Sequence, residues 1–239
     1  MFRAHIKSGN CVTEGSFAVT EKYKEYGYSA AGTHNGDSER RLAEKIVHLA
    51  SQLGSVEHVC DLGYGNGYLA SRLGASGFRV TGVDASESGV EIANRHYATE
   101  NVRFAKAEIG SDLLARTLAI YPFDAVVSSD VIEHLYRPAA LIEAAASLLK
   151  PGGYLIVGTP YHGYLKNLAL SVFNKWDSHH GVHWDGGHIK FFSVQTLREL
   201  VARNGFVDVQ FAFYGRLPWL WKNMICISRR PLPPTSLQP

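Results

Sequence analysis

The chain has 239 residues, of which 46% are hydrophobic, so it is long and apolar enough to bury a substantial core. Its net charge of +2 argues against the strongly basic surface of a nucleic-acid-binding protein. No apolar run approaches the ~20 residues of a membrane-spanning helix, and the N-terminus lacks the apolar core of a secretory signal. The cysteines, Cys11, Cys60 and Cys226, form no closely spaced pair, which favours a reducing cytoplasm. We expect a cytoplasmic protein with one domain, no membrane span and no nucleic-acid partner.

The chain begins with residues 1–37, for which we predict an irregular cap containing one short helix near 16–26. The first regular helix is predicted over Glu39–Leu53, with Ser38 as its N-cap and Gly54 beyond its end. Apolar residues recur there with the helical period. The periodicity therefore places the start of the main domain at residue 38.

From residue 56 onward, short apolar runs alternate with helical patterns. Strands are predicted at His58–Leu62, Arg79–Val83, Val102–Lys106, Phe123–Ser128 and Tyr154–Thr159. Helices are predicted near Tyr68–Ser76, Glu87–Ala98, Asp112–Ile120 and Ala139–Leu149. This alternation indicates parallel β-α-β units with both faces of the sheet covered. We therefore predict an α/β fold with a Rossmann-like, doubly wound sheet.

The alternation is interrupted over Pro160–Phe192, which is rich in aromatic, histidine and glycine residues. We interpret this segment as a substrate or lid insertion after the fifth strand. Beyond it we predict one helix and two strands, over Ser193–Asn204, Phe206–Phe213 and Met224–Arg229. These strands complete a seven-stranded, mostly parallel sheet in a domain over 38–230. The tail, 231–239, is predicted to be disordered because proline and serine leave little to pack.

A glycine-rich loop, Asp61-Leu62-Gly63-Tyr64-Gly65-Asn66-Gly67, follows the first strand and opens a helix. Glycines at such a turn let the backbone approach a ligand closely. Asp84 ends the next strand about 20 residues later, where a carboxylate can accept hydrogen bonds from ribose hydroxyls. The dinucleotide fingerprint would need glycine in place of Tyr68, and Asp61 favours a cationic ligand over a pyrophosphate. The loop therefore favours a nucleoside cofactor other than NAD.

Further motifs follow the glycine loop in a characteristic order. They comprise residues 80–84, 123–127, 131–135, 148–155 and 188–193, with Gly205-Phe206 after them. Together with residues 59–67, these motifs resemble class I S-adenosylmethionine-dependent methyltransferases, and especially the ubiquinone-biosynthesis and small-molecule O-methyltransferase group. The resemblance implies S-adenosylmethionine as methyl donor and S-adenosylhomocysteine as product.

The resemblance also implies a set of cofactor-binding residues. They are Asp61, Gly63, Gly65, Gly67, Asp84, Ala85, Glu108, Ile109, Ser129 and Asp130. The glycine backbone would line the methionine moiety, and Asp84 would bind the ribose. Glu108 occupies the position that faces the adenine amino group, where the family more often has aspartate. Ser129 or Asp130 would lie under the transferable methyl group.

Histidine side chains are the candidates for removing a proton from the methyl acceptor, because imidazole is a natural base near neutral pH. Five of them lie within residues 162–188: His162, His179, His180, His183 and His188. His134 and His188 each adjoin a motif on the cofactor side of the sheet, so we predict these two as catalytic. We assign no metal ion. An alternative interpretation makes Asp130, Glu133 and His134 the ligands of a divalent ion, as proposed for methyltransferases of ubiquinone biosynthesis.

Aromatic residues of the insertion provide either walls for a ring-shaped acceptor or ordinary packing. They are Tyr161, Trp176, Trp184, Phe191 and Phe192. We predict a small-molecule acceptor that is methylated on a hydroxyl oxygen of a ring, a sugar or a secondary metabolite. The alternatives are N-methylation, an NAD-dependent oxidoreductase or epimerase, and a cofactor-binding protein without activity. The sequence indicates neither the acceptor nor the oligomeric state.

Overall fold

The computed structural model describes residues 28, 36–111, 114, 118, 122–180, 183, 186–215 and 217–233. Its strands are β1 His58–Leu62, β2 Arg79–Asp84, β3 Val102–Lys106, β4 Phe123–Ser129, β5 Leu149–Pro160, β6 Val207–Tyr214 and β7 Asn223–Arg229. The described helices are α1 Asp37–Ser51, α2 Tyr68–Ala75, α3 Glu87–Tyr97, α4 Ala139–Leu148, α5 Tyr164–Val172, α6 Trp176–His180 and α7 Val194–Arg203. A single turn of 3₁₀ helix follows β4 at Ile132–His134.

The seven strands form one sheet in the order β3-β2-β1-β4-β5-β7-β6. The first five strands in this order are parallel to one another, and β7 is antiparallel to both of its neighbours. This arrangement confirms the predicted Rossmann-like, mostly parallel sheet. The strand order reverses between β1 and β4, and the carboxyl ends of the strands diverge at such a point to leave a crevice for a ligand.

The sheet is buried on both faces, as the continuous apolar runs of its central strands require. Along β4, Val126 packs into one hydrophobic cluster and Val127 into the cluster on the other face. Helix α1 covers the second cluster through the fully buried Ile46, whereas α4 and α7 cover the first through Leu141 and Leu197. The two cores hold the strands firmly, so groups at the strand ends are positioned precisely.

Two elements start two or more residues away from their predicted starts. Helix α1 begins at Asp37, and its N-cap is Gly36, so the prediction of Ser38 as N-cap was wrong. The Glu39 carboxylate accepts a hydrogen bond from the Gly36 backbone N–H at 3.1 Å, which stabilises the earlier start. Strand β5 begins at Leu149 rather than Tyr154, because Gly152 and Gly153 form backbone hydrogen bonds with Arg230.

Some predicted elements lie outside the described residues. These are the helix near 16–26 and the tail beyond residue 233. Of the helix predicted at 112–120, only Leu114 and Leu118 are described, and both are buried in the core. The insertion contains α5 and α6, so it has regular structure in part. Among the described helices, none combines the length and hydropathy needed to cross a membrane.

Candidate active site

The glycine loop reverses the chain between β1 and α2 through three left-handed residues. Gly63, Gly65 and Gly67 have φ angles of +83°, +59° and +87°. A left-handed conformation costs any residue with a Cβ atom about 1–2 kcal/mol. Packing adds to this requirement, because a Cβ atom at Gly67 would lie 2.7 Å from the Cβ atom of Ala93 in α3. The loop is therefore built for glycine both by its backbone and by its neighbours.

Asp61 ends β1 beneath this loop and is only 1% exposed. Neither of its carboxylate oxygens has a hydrogen-bond partner of normal geometry among the described residues. Burial, together with the negative charge of Asp84, raises the pKa of Asp61 to about 8, and the nearby Ala70 amide opposes this shift. A buried carboxylate without a partner is costly unless it is protonated or a cation compensates it. A positively charged group of a ligand would therefore neutralise the Asp61 carboxylate.

Asp84 connects the end of β2 to the loop. One of its oxygens accepts a hydrogen bond from the Gly65 backbone N–H at 2.8 Å, and the other accepts one from Ser86 N–H at 2.8 Å. A carboxylate oxygen has two lone pairs and can accept from more than one donor, ligand hydroxyls included. The two hydrogen bonds fix the carboxylate beside the loop.

Two tyrosines frame the loop, and neither was predicted from the sequence to have a role in the site. The Tyr28 hydroxyl lies 2.7 Å from where a Cβ atom of Gly65 would be, and the Tyr28 N–H donates to Ser88 Oγ at 3.0 Å. Tyr64 is buried and packs against Phe104 with ring centroids 4.8 Å apart. Tyr28 comes from the non-periodic N-terminal region, where no pattern indicates which residue returns to the loop.

The remaining predicted cofactor residues follow the ends of parallel strands, so the sheet brings them to the same edge. Ala85 and Glu108 are exposed after β2 and β3, and Ile109 packs partly against the core. Ser129 and Asp130 follow at the end of β4. Glu108 has no described partner for its side chain, whereas its backbone carbonyl accepts hydrogen bonds from Ser111.

Asp130 is held in a left-handed conformation, with φ +54°. Its backbone N–H donates to the Gly158 carbonyl at 2.9 Å, and Asn223 Nδ2 donates to its Oδ1 at 3.0 Å. Burial raises the pKa of Asp130 to about 6. Asn223 was missed in the sequence because it begins β7, whose reversed direction brings an amino end to the edge where the parallel strands have carboxyl ends.

Glu133 lies in the short helical turn after β4 and is 1% exposed. Its Oε2 accepts a hydrogen bond from Thr159 Oγ1 at 3.0 Å, and its Oε1 lies 4.0 Å from His188 Nε2. Burial, with a further contribution from Asp130, raises the pKa of Glu133 to about 8. The Glu133 backbone carbonyl also accepts hydrogen bonds from Ile189 and Lys190, which attaches the end of the insertion to this turn.

The two predicted catalytic histidines are neighbours in space although they are far apart in the sequence. The rings of His134 and His188 meet edge to face with centroids 4.9 Å apart. Nδ1 of His134 lies 3.3 Å from the Gly187 carbonyl, an arrangement in which a protonated Nδ1 donates and Nε2 is left as an acceptor. Burial lowers the pKa of both imidazoles, that of His188 to about 4, so both are neutral at pH 7.

The alternative metal set needs a correction in its membership. Ligand atoms of Glu133, His134 and His188 all lie within 4.8 Å of one another. Asp130 does not belong to this group within the described part of the chain, because its carboxylate is held by Asn223. The structure therefore replaces Asp130 with His188 in the trio that could receive an ion.

The aromatic residues of the insertion divide into two groups. Tyr161 and Phe192 are buried, and Tyr161 packs edge to face against Phe213 and Trp221, so these two belong to the core. Trp176 and Phe191 are exposed and lie against His180. Trp184 falls outside the described residues. Of the aromatic residues named from the sequence, Trp176 and Phe191 are the described ones with a surface to offer an acceptor.

Comparison with known families gives one match that covers most of the sheet. A family model described as a methyltransferase domain matches residues 34–210. This range includes the glycine loop, Asp84, Glu133, His134 and the whole insertion.

Curated relatives match a little under half of this chain. A ubiquinone biosynthesis O-methyltransferase of Caulobacter sp. (strain K31) is 38% identical over 112 residues, which are 46% of this chain and 43% of the relative. The enzyme of the same name from Alkalilimnicola ehrlichii is 34% identical over 117 residues, 48% of this chain and 47% of the relative. The match thus spans less than half the length of these relatives.

Solved structures show the same fold at low sequence identity. Magnesium protoporphyrin IX methyltransferase from Synechocystis PCC 6803, with bound S-adenosylhomocysteine, superposes with a TM-score of 0.61 at 21% identity, covering 81% of this chain and 84% of that one. An N-methyltransferase from Bradyrhizobium japonicum WM9, also with bound S-adenosylhomocysteine, gives 0.59 at 16% identity, covering 82% and 89%. Because one of these enzymes is named for N-methylation and the other is not, the fold leaves the acceptor atom open.

Proposed function

This chain belongs to the methyltransferase domain family, and on that premise we propose that it transfers a methyl group from S-adenosylmethionine to a hydroxyl oxygen of a small molecule. Family membership confirms the prediction, made from the motifs, that the chain is a class I S-adenosylmethionine-dependent methyltransferase. The hydroxyl oxygen and the small-molecule acceptor are part of the proposal. They are supported by the O-methyltransferase names of the curated relatives and by the arrangement of Glu133, His134 and His188.

The unpartnered carboxylate of Asp61 is the observation that carries the cofactor assignment. S-adenosylmethionine presents an ammonium group and a sulfonium but no phosphate, so it matches a buried carboxylate under a glycine loop. The left-handed glycines keep Cβ atoms away from the ligand path, and Asp84 presents its carboxylate to ribose hydroxyls beside the loop. NAD fits less well, because its pyrophosphate would lie near two carboxylates.

When bound, the cofactor supplies an electrophilic methyl group: an O–CH₃ bond forms as the S–CH₃ bond breaks, and S-adenosylhomocysteine leaves. The protein has to align the acceptor oxygen at about 3 Å and remove its proton. His188 is the base in this proposal, because its imidazole is neutral and partly exposed. The resulting imidazolium would lie 4.0 Å from Glu133, whose ionised form it stabilises.

His134 orients this base in the proposed reaction. Its ring packs edge to face on His188, and its Nδ1 lies against the Gly187 carbonyl next to His188 in the chain. Glu133 further fixes the segment through the backbone N–H groups of Ile189 and Lys190. His134 is therefore a positioning residue for His188, and the two need not act as alternative bases.

A methyl-transfer assay tests this function. The purified chain is incubated with methyl-labelled S-adenosylmethionine and a panel of hydroxylated aromatic compounds, sugars and primary amines, and the products are identified by mass spectrometry. We expect O-methylated product from at least one hydroxyl compound. His188→Ala should lower kcat by about 10²–10⁴-fold while the cofactor Kd stays unchanged.

His183→Ala is the matched control, since it removes an exposed histidine of the same segment. It should retain the wild-type rate. Product on amines alone, or a wild-type rate in a variant that lacks both His134 and His188, would overturn O-methylation with an imidazole base. Binding of NAD in calorimetry, without binding of S-adenosylmethionine, would overturn the cofactor assignment.

A further inference from the structure

A second group of histidines lies in the insertion, outside the proposed methyl-transfer site. His162 follows β5, and His179 and His180 end α6; we call these three residues the histidine cluster. Their ligand nitrogens all lie within 4.8 Å of one another. The ring centroids of His162 and His180 are 5.6 Å apart, and those of His179 and His180 are 4.9 Å apart. Three imidazoles thus converge from two separate parts of the chain.

Two buried nitrogens distinguish the histidine cluster from a chance grouping of exposed side chains. His162 is 6% exposed, and its Nε2 has no hydrogen-bond partner of normal geometry among the described residues, although the side chain of Asn167 lies close enough to oppose the lowering of its pKa. Nε2 of His180 is likewise buried without such a partner. A buried nitrogen of this kind forfeits its hydrogen bonds with water, which costs about 1–3 kcal/mol unless something binds it. Two such nitrogens in one cluster indicate a missing ligand.

We propose that the histidine cluster binds a divalent ion of the Zn²⁺ class, which joins α6 to the end of β5. Neutral imidazole is the preferred ligand form for zinc, and sites with three histidines leave a fourth position for water or another molecule. Tetrahedral coordination with bonds of about 2.0–2.1 Å places the nitrogens about 3.3 Å apart. Side-chain rotation has to close the cluster by at most about 1.5 Å to reach this geometry, which the exposed His179 permits.

The surroundings of the histidine cluster include one feature that favours metal binding and one that opposes it. Burial lowers the pKa of His162 to about 3 and also lowers the pKa of His180, which favours the neutral form of these two imidazoles. Lys166 is buried nearby, and its positive charge contributes to both shifts. The same charge opposes a bound cation. Lys166 therefore lowers the metal affinity of the cluster, and replacing it tests where the ion binds.

Metal binding would order the insertion. The His162 N–H donates to the Phe192 carbonyl at 3.0 Å, which already ties the two ends of the insertion together. An ion on the histidine cluster would attach α6 to the same point, since α6 carries two of the ligands. The exposed aromatic residues Trp176 and Phe191, which contact His180, would be fixed along with it.

Metal titration of the untagged, metal-free full chain tests this proposal. ZnCl₂ is titrated by calorimetry, and CoCl₂ is titrated while the visible absorption of tetrahedral Co²⁺ is recorded. We expect one equivalent per chain, with binding weakened at least about tenfold in His180→Ala and in His162→Gln. Circular dichroism checks the fold, and the partly exposed His180 keeps the test valid if the buried His162 variant fails to fold.

Three further variants test whether the ion binds at the histidine cluster or at the Glu133 trio. His183→Ala should bind as the wild type does, because His183 lies outside the cluster. Lys166→Met should bind more tightly, since it removes the opposing charge, and weaker binding would contradict the placement. Loss of the ion in His188→Ala but not in His180→Ala would overturn the proposal in favour of the Glu133 trio. Absence of binding at one equivalent would overturn it as well.

Discussion

The glycine loop, residues 61–67, and the insertion, residues 160–192, both follow strands at the same edge of the sheet, yet they are organised differently. The loop acts mainly through its backbone, because three left-handed glycines within five positions shape it. The insertion acts through side chains that meet only after folding, as His162 meets His180 and His188 meets Glu133. A site formed by the backbone is specified by the local sequence, whereas a site formed by side chains depends on tertiary packing.

The largest effect is expected where the loop is most tightly packed. Gly67→Ala should lower the free energy of unfolding by about 2–5 kcal/mol, the sum of a left-handed penalty and overpacking against Ala93. Urea unfolding measures this change. Gly77→Ala is the matched control, because Gly77 has φ +97° but nothing within 4 Å of its Cβ position. It should lose only about 1–2 kcal/mol. Equal losses in the two variants would show that packing does not distinguish the loop from an ordinary left-handed turn.

The next effect concerns the buried carboxylate of Asp61 at the start of the loop. Asp61→Asn should weaken S-adenosylmethionine binding by about 10- to 100-fold, because the variant cannot present a negative charge to the ligand ammonium. The raised pKa of about 8 means that Asp61 is mostly protonated at pH 7, so ligand binding should release close to one proton. Calorimetry in two buffers of different ionisation enthalpy measures that release, which the variant should lack.

Asp124→Asn serves as the control for this measurement. Asp124 begins β4 at the opposite edge of the sheet, where it contacts Lys150 and the backbone N–H of His58. Its replacement should leave both the affinity and the proton release unchanged. If Asp61→Asn binds the cofactor as tightly as the wild type does, the backbone alone accounts for the loop.

The smallest expected effect is on the pH dependence of stability, which tests the contacts of Glu133 with the insertion. The pKa of Glu133 in the folded chain, about 8, lies above its ordinary value of 4.5, so the folded state holds a proton that the unfolded state loses. Its contribution to stability is therefore present below about pH 4.5 and is lost as pH rises through 8. Between about pH 5 and 9, the wild-type unfolding free energy should fall more steeply than that of Glu133→Gln, by at most about 1.4 kcal/mol per pH unit.

Glu143→Gln is the control for this pH series. Glu143 is an exposed partner of Arg137, and its replacement should leave the pH slope as in the wild type. Thermal unfolding across the same pH range distinguishes the three proteins. Parallel curves for wild type and Glu133→Gln would contradict a raised pKa of Glu133 in the folded state.

The fold was largely predictable because its strands are buried on both faces. Short apolar runs such as Ala125–Val127 leave little ambiguity, and glycines at 63, 65 and 67 are typical of a loop with left-handed backbone angles. The largest error in a boundary fell at the start of β5, where a distant backbone contact decides it. Arg230 holds Gly152 and Gly153 in the sheet from the far end of β7, a contact that no local turn signal reveals.

The candidate site was predictable only in part, for the same reason. His134 and His188 adjoin motifs, and the structure places them together. Thr159 and Asn223 contact Glu133 and Asp130 through pairings between distant strands, so a single sequence offers no signal for them beyond their positions at strand ends. The convergence of His162 with His179 and His180 depends on how α6 folds back, and their spacing matches no local metal motif.

The reversed strand β7 has a consequence for how the protein is made. Asn223, which holds Asp130, is synthesised 93 residues after it. During translation the five parallel strands and the glycine loop emerge first, while Asp130 still lacks its hydrogen bond from Asn223. A chain that ended before residue 223 would also lack the strand that lies between β5 and β6 in the sheet. The order of synthesis thus leaves the surroundings of Asp130 incomplete until the last strand is made.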